Sequence, residues 1–238
     1  MDVSSLRHYG RAFSDAESAW PPELKAKLRR VGMAVVMDHL GLLERFRFFW
    51  AFIWTKRRAA ALDLSELEAR GMRNRVFLDQ QLEYLAMFAA LNEVVGETRA
   101  LQITIALMDA TAKEALLLCL PDPDEVRRLG DPMEVFRNYF RPAPDVARCA
   151  GCNDLEIIED RPGAFQFNVT WCVWLWLAER MGVPQACIPN CYSDDLAFPE
   201  YFASLGIEYR RTGTLAKGQS CCDFRFQAMK DARPGTAT

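Results

Sequence analysis

The chain has 238 residues, half of them apolar, and 29 lysines and arginines oppose 32 aspartates and glutamates, for a net charge of −3. This length allows one large domain or two small ones, with a substantial core that needs no disulfides. Because the charge is nearly balanced and no basic tail is present, the electrostatic pattern of a nucleic-acid-binding protein is missing. We therefore expect no nucleic acid partner.

Most of residues 21–120 is predicted to be helical. Pro22 followed by Glu23 is typical of a first helical turn, and Asp63 begins a further helical tract. Apolar residues recur at helical spacing in three longer tracts, 31–53, 72–95 and 98–120.

The segment 46–54 is the most apolar part of the chain. It contains Arg47 and is bounded by Arg45 and by the basic run 56–58, and it is much shorter than the ~20 apolar residues of a spanning helix. A buried or partner-facing helix is favoured, where the partner would be a second copy in a homodimer, with attachment to a membrane surface as the alternative. We expect no stable membrane insertion and, since no secretory leader is recognisable, a cytoplasmic location.

Residues 121–148 contain five prolines and are predicted to be a connecting region with one short helix around 132–139. From residue 153 onward the apolar pattern changes toward alternation. The predicted elements are a β-hairpin of 155–160 and 164–170, a helix over 171–181, a loop after Cys191 followed by a short helix over 199–205, and strands over 207–215 and 222–228.

The predicted class is α+β, with a helical N-terminal layer packed on a C-terminal antiparallel β-sheet unit of order ββ-α-α-ββ. We divide the chain into a helical region, 1–148, and a thiol-rich region, 149–238, that together form one integrated domain. Seven of the eight cysteines lie in the second region. In a reducing compartment they should be mostly free thiols.

The pair Cys149 and Cys152 forms a CxxC motif. It does not follow a strand and open a helix, as a thioredoxin-type motif would, and Cys187 and Cys191 are an imperfect second pair for zinc. An incidental motif is favoured over a structural metal site.

The last predicted strand divides its side chains between two faces. One face carries Cys222, Phe224 and Phe226, and the other carries Cys221, Asp223 and Arg225. The phenylalanines mark the core side, so Cys222 should lie at the core edge. Asp223 and Arg225 should pair with each other or bind a zwitterion. Spacing alone favours an inert thiol beside a surface ion pair.

Four short motifs follow one another in the C-terminal region. They are Cys172, Cys191-Tyr-Ser-Asp194, Thr214-Leu-Ala-Lys-Gly218 and Cys222-Asp-Phe-Arg225. From residue 150 onward this succession resembles the L-2-amino-thiazoline-4-carboxylic acid hydrolase family. The doubled cysteine at 221 and 222 and the extra Asp195 depart from the family pattern, so they leave open which thiol and which carboxylate correspond to it.

The resemblance implies hydrolytic opening of a small sulfur–nitrogen ring, with a cyclic isothiourea acid as substrate and N-carbamoyl-cysteine as product. It implies that Cys222 is the nucleophile and that Asp194 binds the protonated amidine nitrogens. Asp223 would act as general base or orient the thiol, and Arg225 would clamp the substrate carboxylate. Cys172, Cys191 and Thr214 would line the substrate pocket.

Three alternatives stay open at this point. Cys172, Cys191 and Cys222 could together hold zinc or another divalent metal that activates water, although no cofactor is otherwise expected. The chain could be a non-catalytic binder of a small molecule or metal that resembles 4-vinyl-reductase-like domains in topology. It could also be a biosynthetic relative that acts on another ring.

Overall fold

A computed structural model describes residues 3, 6, 21–117 and 119–229, so the N-terminal residues that bear on a leader lie outside it. The helices are α1 (Pro22–Asp38), α2 (Leu42–Ala60), α3 (Ser65–Ala69), α4 (Arg75–Val95), α5 (Glu97–Leu117), α6 (Pro123–Leu129), α7 (Pro132–Phe140), α8 (Ala143–Cys149), α9 (Val173–Arg180) and α10 (Cys187–Ser204). The strands are β1 (Asn153–Arg161), β2 (Ala164–Cys172), β3 (Ile207–Arg210) and β4 (Cys222–Ala228). None of the described helices is long and apolar enough to cross a bilayer.

The four described strands form one antiparallel sheet in the order β1-β2-β4-β3. With helices before it and helices α9 and α10 between its two strand pairs, the α+β prediction is confirmed. The predicted hairpin is present, and its second strand extends to Cys172, so the following helix begins at Val173. Strand β3 is shorter than predicted because the chain leaves the sheet after Arg210.

The connecting region between residues 121 and 148 contains three short helices, so the prediction of a single one is wrong. Asp122 and Asp131 cap α6 and α7 through their side chains, and a proline follows each in the first turn. A proline at that position needs no N–H donor, so here it starts a helix instead of ending one. The tract 31–53 also differs, because it divides into α1 and α2 at residues 39–41.

Helix α10 replaces the predicted loop and short helix after Cys191, so that prediction is wrong. Pro199 lies inside the helix, where it removes one backbone hydrogen bond. The helix nevertheless continues, since it packs against α5 on one side and β3 on the other. As a result Cys187, Cys191 and Asp194 lie on successive turns of one helix.

Aromatic side chains fill the space between the sheet and the helices that cover it. Phe226 of β4 lies 4.6 Å from Phe136 and 4.7 Å from Phe202, and Phe224 stacks on Phe167 at 4.9 Å, measured between ring centroids. The prediction that these phenylalanines mark the core side of β4 is therefore confirmed. Cys222 shares their face and is 6% exposed.

The helical region and the thiol-rich region meet at Gly151. Its φ is +65°, and a Cβ atom there would lie 2.5 Å from the backbone nitrogen of Met72, so only glycine fits. Nearby, Arg70 pairs with Asp154 at 2.6 Å. The glycine of the CxxC motif thus allows the backbones of the two regions to approach each other closely.

Candidate active site

The Cys222 thiol lies at the first residue of β4, under the loop that joins β3 to β4. Its sulfur accepts a hydrogen bond from the backbone N–H of Leu215 at 3.2 Å. That nitrogen belongs to a short 3-10 turn, Leu215–Lys217, which ends at Gly218 in the left-handed conformation with φ 78°. A backbone donor directed at sulfur favours the thiolate over the thiol.

The Cys191 thiol of α10 interacts with the Cys222 thiol. This interaction is the main cause that lowers the pKa of Cys222, and the Leu215 N–H and the Arg211 charge act in the same direction against burial. The same interaction, together with burial, raises the pKa of Cys191. Of the two thiols, Cys222 is therefore the one that loses its proton more readily.

The Arg211 side chain follows β3 and reaches α10, where it is only 2% exposed. It pairs with the Asp194 carboxylate at 2.7 Å and with the Asp195 carboxylate at 2.8 Å, and it donates to the Cys191 carbonyl at 2.5 Å. Its guanidinium also lies 5.2 Å from the ring centre of Phe224. These contacts fix a buried cation beside the two thiols.

The Asp194 carboxyl is the acidic group nearest this cation. Burial raises its pKa to about 6, although the Arg211 charge and hydrogen bond act in the opposite direction. Its side chain is 23% exposed. A carboxyl group with a pKa near neutral pH and partial access to solvent suits an acid, a base or a ligand for a cationic substrate.

Asp194→Asn is expected to change how stability depends on pH. Because the folded pKa of about 6 lies above the ordinary value, the stabilising contribution is complete below the unfolded pKa and is lost as pH rises through about 6. Relative to wild type, the free energy of unfolding of the variant should rise by on the order of 3 kcal/mol between about pH 4 and about pH 7. Urea unfolding at both pH values measures this difference. A difference that does not change with pH would contradict it.

Cys172 and Cys187 complete the group of thiols. Burial raises the pKa of Cys172 to about 12, against the backbone N–H groups of Leu175 and Trp174 at the start of α9. Burial also raises the pKa of Cys187. Both therefore stay protonated, which separates them chemically from Cys222.

Asp223 and Arg225 lie on the opposite face of β4 from Cys222. The Asp223 carboxylate accepts hydrogen bonds from the Thr212 N–H at 2.9 Å, the Thr212 hydroxyl at 2.6 Å and the Gly213 N–H at 2.5 Å. Arg225 donates to the Phe167 and Phe224 carbonyls at 3.0 Å and to the Asn168 side chain at 2.8 Å. Each side chain thus holds nearby backbone in place. The predicted ion pair between Asp223 and Arg225 is not among the contacts of the described residues.

The Thr214 hydroxyl is buried in the loop above Cys222. The residue is 3% exposed, and its hydroxyl oxygen has no hydrogen-bond partner within the described part of the chain. Its backbone N–H and carbonyl are both engaged, with the Gln219 side chain and with the backbone N–H groups of Lys217 and Gln219. An orphan hydroxyl at this depth is costly unless a ligand uses it.

The structure thus brings together Cys172, Cys191, Asp194 and Cys222, places Thr214 in the adjoining loop, and leaves Asp223 and Arg225 behind the strand. In residues 21–117 and 119–229, no group of three or more His, Cys, Asp or Glu side chains is arranged to hold a metal ion. Cys172, Cys191 and Cys222, the predicted metal ligands, do not form such a group in the described residues. The important residue that the sequence analysis did not identify is Arg211.

One comparison with known proteins identifies a family. The sequence model of the L-2-amino-thiazoline-4-carboxylic acid hydrolase family matches residues 79–226, which is more than half of the chain. The match begins inside α4, well before residue 150, and so includes part of the helical region. No curated protein and no solved structure matches the chain. The family match supports a hydrolase-like function, and the chain belongs to the L-2-amino-thiazoline-4-carboxylic acid hydrolase family.

Proposed function

We propose that the protein hydrolyses a small cyclic amidine or isothiourea acid, of the 2-aminothiazoline-4-carboxylate kind, by attack of the Cys222 sulfur on the carbon between nitrogen and sulfur. The observation that carries this proposal is the Leu215 N–H directed at that sulfur at 3.2 Å, with the Cys191 thiol and the Arg211 cation beside it. Together they favour a thiolate, which is the nucleophilic form.

The charged pair beside the thiols suits the binding of such a substrate. The Asp194 carboxylate binds the protonated amidine nitrogens, which makes the carbon between them more electrophilic. Arg211, with its contacts to Asp194 and to the Cys191 carbonyl, positions both groups and keeps negative charge favourable at Cys222. The buried hydroxyl of Thr214 supplies a hydrogen bond to the bound substrate.

In the first half-reaction the Cys222 sulfur forms a bond to the amidine carbon, and the electrons of the carbon–nitrogen double bond move to the ring nitrogen. The bond from that carbon to the ring sulfur then breaks. The departing sulfur takes the proton of the Cys191 thiol. Cys191 can release this proton because the neighbouring Cys222 sulfur is now a neutral thioether. The product of this step is an open chain with a free thiol, joined to Cys222 as an isothiouronium.

In the second half-reaction the Cys191 thiolate takes one proton from water, and the oxygen adds to the isothiouronium carbon. The bond from that carbon to the Cys222 sulfur breaks and restores the thiolate. One proton leaves to solvent, so the sum is substrate plus water giving an N-carbamoyl amino acid with a free thiol. Asp223 acts as a positioning residue in this scheme, since it holds the loop that presents Leu215.

The reaction is tested by incubating the purified protein with 2-aminothiazoline-4-carboxylate and related cyclic amidine acids. Free thiol is measured with a chromogenic disulfide, and the product mass is measured by chromatography with mass spectrometry. Thiol release in proportion to protein, unchanged after exhaustive chelation, is the expected result. Binding without release for every compound would overturn the hydrolase proposal and favour a non-catalytic binder.

Thr214→Val should separate stability from substrate affinity. Removing an unpartnered buried hydroxyl should leave the free energy of unfolding unchanged or raise it by about 1 kcal/mol, while KM rises about tenfold because a substrate hydrogen bond is lost. Thr55→Val is the matched control. The Thr55 hydroxyl donates to the Ala86 carbonyl at 2.8 Å, so this variant should lose about 1 to 2 kcal/mol with KM unchanged.

Urea unfolding and initial-rate kinetics on both threonine variants provide the comparison. Equal destabilisation of the two variants, with KM unchanged in Thr214→Val, would show that the Thr214 hydroxyl has a purely structural role.

A further inference from the structure

Helix α2 has a face of large apolar side chains that nothing in the described chain covers. The apolar stripe, as we name it, consists of Leu42, Leu43, Phe46, Phe49, Trp50, Ile53 and Trp54, whose exposure ranges from 45% to 85%. The opposite face of the helix is buried against α4 through Phe48, Thr55 and Ala59. The expectation of a buried helix over 46–54 therefore holds for only one side of it. Exposed apolar patches of this kind usually mark an interaction surface.

Cations frame the apolar stripe on both edges. At about 100° per residue, Arg47 and Arg58 lie along one edge of the stripe, and Arg45 and Lys56 lie along the other. Arg57 lies within the stripe near its C-terminal end, with its guanidinium 5.2 Å from the ring centre of Trp54.

Acidic groups are engaged away from the stripe. Glu44, the acidic residue of α2, accepts hydrogen bonds from the Gly41 N–H at 2.9 Å and from Arg99 at 2.7 Å. Lys56 and Arg58 reach glutamates of α4 at 3.4 Å and 3.9 Å. Over the described ranges, Arg47 and Arg57 have no carboxylate within ion-pair distance. The surface thus offers apolar area with positive charge that no described carboxylate pairs, at Arg47 on one edge and at Arg57 within the stripe.

We propose that α2 lies on an anionic phospholipid surface, with the apolar stripe in the acyl–headgroup boundary and the flanking cations on lipid phosphates. A helix with tryptophan and phenylalanine on one side and basic residues at its borders is suited to that position. A second copy of the chain fits less well, because a two-fold interface between stripes would bring one cationic frame against another. The stripe lies outside the family-matched residues 79–226, so this inference is independent of the proposed reaction.

Vesicle flotation with the full chain tests the proposal. The protein should float with vesicles of about 30% phosphatidylglycerol in phosphatidylcholine, should not float with phosphatidylcholine alone, and should be released by about 0.5 M salt. The double variant Trp50→Ser/Trp54→Ser should lower the partition coefficient at least about tenfold. The double variant Arg47→Gln/Arg57→Gln should also reduce binding to the anionic vesicles.

Ile158→Ser is the control, since Ile158 is an exposed apolar residue of β1, 49% accessible, far along the chain from α2. Its partitioning should match wild type. Light scattering of the same proteins without vesicles tests the alternative occupant of the stripe, a second copy of the chain. Absence of flotation with anionic vesicles would overturn the proposal, and so would a wild-type dimer that the Trp50→Ser/Trp54→Ser variant converts to monomer.

Discussion

Cys222→Ser should reduce the rate of ring opening by about 10³-fold or more, because a serine hydroxyl at neutral pH supplies almost no anionic nucleophile. The fold should survive. Serine is smaller than cysteine, and at 6% exposure its hydroxyl can still accept the hydrogen bond from the Leu215 N–H. Initial rates of thiol release, with circular dichroism and urea unfolding on the same sample, measure both effects.

The neighbouring residue offers a matched control for that variant. Cys221 is partly exposed and directly precedes the start of β4, and Cys221→Ser should keep the wild-type rate within about twofold. The two variants therefore distinguish between the doubled cysteines. If Cys221→Ser were inactive and Cys222→Ser active, the nucleophile would have been assigned to the wrong thiol.

Arg211→Gln should have the second largest effect. It removes the cation that pairs with Asp194 and that helps to lower the pKa of Cys222. Loss of one partner of a buried ion pair leaves the other uncompensated, so the free energy of unfolding should fall by about 3 kcal/mol. The value of kcat/KM should fall about 100-fold, since less thiolate is present and Asp194 is no longer held.

Arg210→Gln is the control for Arg211→Gln. Arg210 is adjacent in sequence but exposed, and it pairs with Glu208 on the same strand. Its loss should change stability by less than about 0.5 kcal/mol and leave kcat/KM unchanged. The pH dependence of Cys222 alkylation separates a purely structural role of Arg211 from an electrostatic one, because only the latter predicts a higher pKa for Cys222 in the variant. Equal behaviour of the two arginine variants would contradict the role given to Arg211.

Much of the fold could be predicted from periodicity. The hairpin, the apolar helices and the core side of β4 each depend on the spacing of apolar side chains along a single element. That spacing can be read from the local sequence. The α+β class followed from the order of these elements. Prolines were the main source of error. In the connecting region they follow capping aspartates and start helices, and inside α10 tertiary packing tolerates Pro199.

The candidate site could be predicted only in part. Cys191, Asp194 and Cys222 were identified through ordered motifs, and the structure places them together. Arg211 carries no such signal, because its function depends on a side chain that crosses from the end of β3 to α10. Asp223 and Arg225 belong to the same short motif as Cys222, yet alternation along β4 directs them to the opposite face, where they hold backbone.

The most direct measurement is the rate at which a small alkylating reagent modifies Cys222, followed by peptide mass spectrometry as a function of pH. In the wild-type protein the rate should follow a pKa below that of an ordinary cysteine. In Cys191→Ala that pKa should rise, because the interaction that contributes most to lowering it is gone. The account would be contradicted if Cys222 titrated like an ordinary or a buried thiol in the wild type, or with the same pKa in both proteins. Either result would show that Cys191, Leu215 and Arg211 do not stabilise a Cys222 thiolate.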